Sequence, residues 1–355
     1  MTFVPCSCCF YQFYSGASVI IAGFLLFPVI LFGLIANLLS VLVFAHRRMR
    51  AVTLNWYLMA RCISDSLLLL TSLLIFVLPR LGQYWNAFHW VNLSHLLTPV
   101  AYALALWAQT ASVYLTVLLS AHRFLGVCYP FQAFILTRPR VKCAIFLVLG
   151  LSLLFNVTKF FEIRVSELCL ATNIDVSGGA AQLTRKGHPI YELAPTSMRL
   201  NPIYQTVFYG WWSTTFKFLF PFAALILLNF GVIMVVRRVR RCHLQQLQLL
   251  DDASNRAELA KEINTSVMLV GVVLIFLACN APILVVDVLE VSNVSSEGYW
   301  FSLLVDVSNL LVAVGCGCNI FVYCIFSLKF RRLLMFYCRC QCVRMTEPLQ
   351  MSYMD

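Results

Sequence analysis

The chain has 355 residues, of which 61% are hydrophobic and 12% charged, with a mean hydropathy of +0.83. Soluble domains carry about 25% charged residues, so the composition excludes an ordinary soluble domain and implies one continuous helical domain embedded in a membrane. The net charge of +11 does not point to nucleic acid, because the basic residues cluster in the connections between apolar runs.

Seven runs are long enough to cross a bilayer, for which roughly 20 apolar residues suffice. They lie at about Ala17–Phe44, Leu54–Pro79, Leu96–Val127, Val141–Val157, Thr206–Val236, Ile263–Val288 and Ser302–Cys324. The expected fold is an all-α membrane protein: a short extracellular N-terminus (1–16), a seven-transmembrane helix bundle (17–325), and an amphipathic cytoplasmic helix with a short tail (326–355). No basic region precedes the first apolar run, so no cleavable signal peptide is expected. Basic clusters at Arg47–Arg50, Arg138–Lys142, Arg237–Arg241 and Lys329–Arg332 all fall on one side. The positive-inside rule places that side in the cytoplasm and the N-terminus outside, in a multi-pass protein of the plasma membrane.

In chain order, Asn37 sits alone in the first span and Asp65 lies midway along the second. A carboxylate at that depth costs several kcal/mol unless neutralised or paired. Arg61, one helical turn earlier, is positioned either to pair with it or to snorkel inward. No charged residue occurs from Leu81 to His122, and then Arg123 appears. Within this run Gln109, Ser112, Thr116, Ser120 and Arg123 recur at steps of three and four, a polar stripe on one helix face. Such a stripe belongs against protein or water, which makes the third span central.

The second outer loop, about Thr158 to Gln205, contains a flexible-looking VSGGAAQ segment and prolines that preclude a regular helix. Its length suits a lid or a ligand contact. The third inner loop, Arg237 to Glu262, either extends the fifth and sixth spans as helices or serves only as topology charge. In the sixth span Phe276, Asn280 and Asp287 share a face around the kink expected at Pro282. In the seventh, Asn309, Cys316, Asn319 and Tyr323 form a third polar stripe. Beyond it, Phe326, Phe330, Leu333 and Leu334 alternate with Lys329, Arg331 and Arg332 as an interfacial helix. Cys338, Cys340 and Cys342 follow and are palmitoylation candidates, with free thiols as the alternative. Of the sequons, Asn92 and Asn293 fall outside and are candidates for glycosylation, whereas Asn156 and Asn264 are chance matches.

The ordered set Asn37, Asp65, Arg123, Pro130, Pro221, Pro282, Asn319 and Tyr323 resembles the marker positions of the rhodopsin-like (class A) G-protein-coupled receptors, over essentially the whole chain. Within that family the chain is most similar to the invertebrate FMRFamide-receptor group of neuropeptide receptors. The stretches that carry this are AQTASVYLTV, RFLGVCYP, Phe160-Phe161-Glu162, Leu200-Asn201 with Tyr204, Cys279-Asn280-Ala281-Pro282, Ser308-Asn309 and Asn319-Ile320-Phe321-Val322-Tyr323. Asn280 in place of the usual tryptophan, and Ile320 in place of the usual proline, both fit that group.

The resemblance implies a peptide ligand, a heterotrimeric G protein as partner, and no enzymatic activity. It implies ligand contacts at Tyr102, Gln109, Glu162, Trp212, Asp287, Glu290, Asp306 and Asn309. Charge supplies a physical motive: Asp287, Glu290, Glu297 and Asp306, with Glu162, form an acidic rim suited to a basic, amidated peptide. Ordinary solvation of outer loops is the alternative reading of those carboxylates. The expected switch comprises Asn37, Asp65, Ser112, His122, Arg123, Glu262, Phe276, Asn280, Pro282, Asn319 and Tyr323. Arg123, Pro130 and Phe131 would face the G protein, and Asp65 with Ser112 is a candidate sodium site.

Three departures stand out. His122 replaces the acid that normally restrains the arginine, leaving Glu262 as its expected partner. Thr98 stands where most relatives carry a disulfide cysteine, and the fourth span lacks its usual tryptophan. A divergent receptor with a non-peptide ligand, or a receptor-like scaffold that no longer signals, are the alternatives. The chain shows no internal repeat of the kind a transporter carries, and no paired carboxylates or metal-spaced histidines within the spans.

Overall fold

The structure, a computed structural model, describes residues 14–129, 137–170, 173–174, 183–184, 189–246, 253–291 and 298–343. Among them, seven helices are long and apolar enough to cross a membrane: Gly16–Ala45, Leu54–Tyr84, Phe88–Cys128, Arg138–Phe161, Tyr204–Arg238, Val267–Leu289 and Tyr299–Phe326. They form the all-α bundle expected from the seven apolar runs, and a further helix, Leu328–Val343, follows the last span.

Third-span burial decides the architecture. In its most apolar window 61% of residues are buried, against 22% in the fourth and fifth spans, so it is the axis and they are peripheral. Its helix begins at Phe88, eight residues before the expected start at Leu96, and runs through Pro99 without a break. Pro99 lacks an N–H, but the adjacent Thr98 hydroxyl donates to the Ser94 carbonyl (2.8 Å) and supplies the turn with a local hydrogen bond. At 1.5 Å per residue the helix is ~60 Å long, about twice the hydrocarbon core, so it projects well beyond it.

Prolines mark the other spans differently. Pro28, Pro79 and Pro221 each follow a π-wound stretch, respectively Val19–Leu25, Leu73–Val77 and Thr215–Leu219. A proline ring crowds the carbonyl four residues back, and widening the preceding turn relieves that crowding. Ser94 from the third span donates to the Leu74 carbonyl (2.7 Å) inside one of these stretches.

The first and seventh spans meet almost backbone to backbone. A Cβ on Gly317 would stand 3.2 Å from the Gly33 Cα, and one on Gly33 would stand 2.7 Å from Leu69 Cδ1. Small residues at such a crossing allow the close approach that membrane helices rely on for packing. Toward the end carrying Leu328–Val343, Phe44, Tyr323 and Phe330 form a ring cluster with centroids 5.2–5.4 Å apart. This cluster seats the final helix on the bundle. Phe146, Leu154, Leu227 and Leu274 face outward and are exposed, as suits a lipid-facing surface.

At the opposite end lies a β-hairpin. Strand β1, Ile163–Leu170, pairs antiparallel with β4, Pro189–Pro195, in the register Ile163↔Pro195 to Leu170↔Pro189, with an irregularity between Glu167 and Cys169. Strands β2, Asn173–Ile174, and β3, Leu183–Thr184, pair antiparallel with each other as a second two-stranded sheet. Pro189 and Pro195 occupy the two ends of β4, where proline is tolerated. VSGGAAQ lies outside the described residues. On the other face the fifth-span helix continues to Gln246 and the sixth-span helix begins at Ala253, so both spans extend as helices into the loop between them.

Candidate functional site

The polar stripe of the third span opens onto Asp65. Ser112 Oγ donates to Asp65 Oδ1 at 2.6 Å and Asn319 Nδ2 donates to Oδ2 at 3.1 Å. Arg61 Nε lies 3.7 Å from Oδ2, and both residues of that pair are at most 2% exposed. Asn37 Nδ2 reaches the Cys316 carbonyl at 3.2 Å. One carboxylate thus gathers the second, third and seventh spans, and Asn37 joins the first to the seventh beside it. A charge at this depth would be costly alone, and two hydrogen-bond donors and a neighbouring guanidinium offset that cost.

The sixth span adjoins this cluster through Phe276. The Arg61 guanidinium stands 5.5 Å from the Phe276 ring centroid, and Phe222 packs edge-on against the same ring. Asn280 Nδ2 donates to the Phe276 carbonyl one turn back in its own helix (2.9 Å). A small cavity is lined by Arg61, Asp65, Gln109, Ser112, Asn280 and Gly315. Lower on the stripe, Asn229 donates to Ser120 Oγ (3.0 Å), joining the third and fifth spans.

His122 is buried, 3.3 Å from Thr53 Oγ1 through Nε2, with its ring against Tyr57. Arg123 is half-buried at the end of the same helix. The side chain of Glu262 and all of Pro130 and Phe131 lie outside the described residues, as do Asn293, Glu297 and the side chains of Glu290, Cys340 and Cys342. Cys338 is exposed.

On the hairpin side, two carboxylates are already held. Asp306 accepts from Arg80 Nη2 (2.7 Å) and from the Ser18 hydroxyl (2.6 Å), while Arg80 Nε donates to Ser18 Oγ (2.9 Å). The pair joins the first, second and seventh spans and is almost fully buried. Arg80 also stacks over the Tyr14 ring at 4.6 Å. Burial pushes the Tyr14 phenol above its ordinary range, against the opposing pull of the Arg80 charge. Glu162 is 0% exposed and accepts from Lys159 Nζ and from the Tyr204 hydroxyl, both at 2.6 Å, with Arg199 3.9 Å from its other oxygen.

The hairpin itself is fastened to the third span. His95 Nδ1 lies 2.6 Å from the Tyr191 carbonyl, and the Tyr191 N–H donates to Asn92 Oδ1 at 3.2 Å. A carbonyl can only accept, so the proton is on Nδ1 of His95.

The profile of the seven-transmembrane receptors of the rhodopsin family matches residues 36–323. The chain belongs to that family. Its members are receptors and not enzymes, and this receptor is a multi-pass membrane protein. It is 27% identical to the FMRFamide receptor of Drosophila melanogaster over 329 residues, which cover 90% of this chain and 54% of that one. It therefore spans about half the length of the fly protein. It is 28% identical over 323 residues to the FMRFamide peptide receptor frpr-18 of Caenorhabditis elegans, covering 88% and 68% of the two chains. A third relative, the probable G-protein coupled receptor frpr-1 of the same worm, is 27% identical over 345 residues, covering 92% and 81%.

In the receptor, the expected switch residues Asn37, Asp65, Ser112, Phe276, Asn280 and Asn319 lie around one centre. Tyr323 is buried in the aromatic cluster nearer the final helix. The expected ligand residues do not form one set. Gln109 lines the central cavity, and Tyr102, Asp287 and Asn309 are half-buried. Trp212 is 46% exposed and stacks on Phe155 and Phe216, toward the fourth span. Arg80 and Lys159, which neutralise two of the rim carboxylates, and Ser18, which bridges the first of these pairs, escaped sequence reasoning. So did Asn229 and the His95–Tyr191 contact. Trp107 of the third span donates to the Leu149 carbonyl of the fourth (3.0 Å), so a tryptophan still ties that pair of spans.

Proposed function

We propose that the receptor binds a basic, amidated peptide at the hairpin face, which is extracellular, and activates a heterotrimeric G protein from the opposite, cytoplasmic face. The observation that carries this is the line of buried polar contacts between the faces, from Gln109 past Ser112, Asp65 and Asn319 toward Arg123. A static scaffold has no use for such a line, whereas a switch needs groups that exchange partners. The similarity to FMRFamide receptors supports a peptide ligand ending in arginine and an amidated phenylalanine.

Charge narrows the contact residues. Asp306 and Glu162 are held by Arg80 and Lys159, so a ligand guanidinium would have to displace a buried cation to reach either. Asp287 also lies within electrostatic reach of Lys159, but it is half-buried and closer to solvent, and for that accessibility it is the carboxylate we assign to the ligand, with Tyr102, Gln109 and Asn309 as its surroundings. Glu290, one turn further along the same helix, is the second candidate. Binding drives the switch only through higher affinity for the active arrangement. In that arrangement the sixth span pivots at Pro282, moves its cytoplasmic end outward and frees Arg123 for the G protein.

The test is to express the receptor, screen peptides ending in Arg-Phe-amide and read second messengers. Asp287→Ala should raise the effective concentration about 10- to 100-fold, the equivalent of one charge-assisted hydrogen bond, and Arg123→Ala should abolish the response at any dose. Silence toward every basic amidated peptide, with correct surface expression, would refute the ligand assignment. An N-terminal epitope that antibodies cannot reach on intact cells would refute the orientation.

A further inference from the structure

Asp65 already has a cation beside it, supplied by the chain. Arg61 lies one turn earlier on the same helix face, with Nε 3.7 Å from Oδ2, and both side chains are buried. The other lone pairs of the carboxylate are engaged by Ser112 and Asn319. The guanidinium then spans the gap to the sixth helix, under the Phe276 ring. Among the described residues its Nε and Nη1 make no hydrogen bond, and the adjoining cavity is no larger than one water.

We propose that Arg61 is the resident cation of this chamber. A tethered guanidinium takes the charge-balancing place beside Asp65 that a diffusible sodium ion would need, and it links Asp65 directly to the sixth span through Phe276. A second monovalent cation here would leave two positive charges against one carboxylate, out of contact with bulk water, and desolvation makes that repulsion strong. The residues present therefore do not fit sodium while Arg61 is in place. With Arg61 removed, the oxygens of Asp65 and Ser112 regain the hard-oxygen character and net charge that a small cation requires. The inference does not depend on which ligand the receptor takes.

Thermal unfolding of the purified receptor in sodium chloride, against choline chloride at matched ionic strength, tests it without a ligand. The wild-type midpoint should be the same in both salts. Arg61→Leu should acquire an upward shift specific to sodium, and adding Asp65→Asn to it should remove that shift. Arg61→Gln, closer in size, takes the place of Arg61→Leu if the latter does not fold. A sodium-specific rise in the wild type that Asp65→Asn abolishes would overturn the proposal. So would the absence of any sodium response in the Arg61 variants, since something other than Arg61 would then exclude the ion.

Discussion

Asp306 and Arg80 illustrate how a charge in the hairpin half of the bundle is kept. The two are 226 residues apart, joined at 2.7 Å and bridged by Ser18. Breaking one side of a buried pair typically costs about 3–5 kcal/mol, because the survivor stays buried without its partner. Asp306→Ala alone should therefore lower the thermal unfolding midpoint and surface expression sharply. Asp306→Leu combined with Arg80→Met should recover much of the loss, a non-additivity that a double-mutant cycle on the purified receptor measures. No spacing rule reveals a partner 226 positions away, so the sequence shows Asp306 only as one acid of a rim. Arg61 and Asp65 are the opposite case: a separation of four is legible as a shared helix face, and the contact follows from it.

Individual elements differ in how readable they are for the same kind of reason. The seven spans stand out because roughly 20 apolar residues in a row have few other uses in a chain of this composition. The early start of the third span was hidden because residues 88–95 carry His89, Asn92, Ser94 and His95, which interrupt the apolar run by which a span is read. The hairpin was hidden because its pairing is set by ends more than twenty residues apart, and prolines at 189 and 195 read as irregularity rather than as strand ends. Its attachment to the third span rests on Asn92 and His95. His95→Phe keeps the ring and removes the 2.6 Å bond to Tyr191, which should cost about 1 kcal/mol. Hydrogen exchange across residues 163–195 should then quicken several-fold while the central spans stay protected.

At the scale of the whole receptor, the buried polar centre that joins the spans is also the proposed switch. His122 bonds toward Thr53 and packs on Tyr57, in the position where relatives place an acid next to the arginine. An imidazole there supplies no negative charge of its own to Arg123, which predicts a resting arrangement less firmly latched than an acid at this position would give. Introducing one with His122→Asp should lower ligand-independent signalling, read as basal second messenger normalised to surface expression. An unchanged or raised basal level would show that the latch lies elsewhere. The family markers made this centre visible in sequence, since Asn37, Asp65, Asn280 and Asn319 converge as their shared helical faces imply. Of the cations that neutralise the carboxylates nearer the hairpin, Arg80 was hidden because it reaches Asp306 from another span, and Lys159, only three residues before Glu162, because that stretch reads as loop rather than as the helical turn it forms.

The way the hairpin is fastened also bears on how fast a ligand can arrive. Among the described residues, the Asn92–Tyr191–His95 clasp between the third span and the hairpin is two hydrogen bonds, and bonds of that strength have an open population. If opening costs about 3 kcal/mol, the lid is released somewhat less than 1% of the time, and the observed association rate is scaled down by that fraction. Warming, mild denaturant or loss of His95 would each enlarge it. In the proposed binding mode, ligand entry past the hairpin would then quicken with temperature more steeply than diffusion alone.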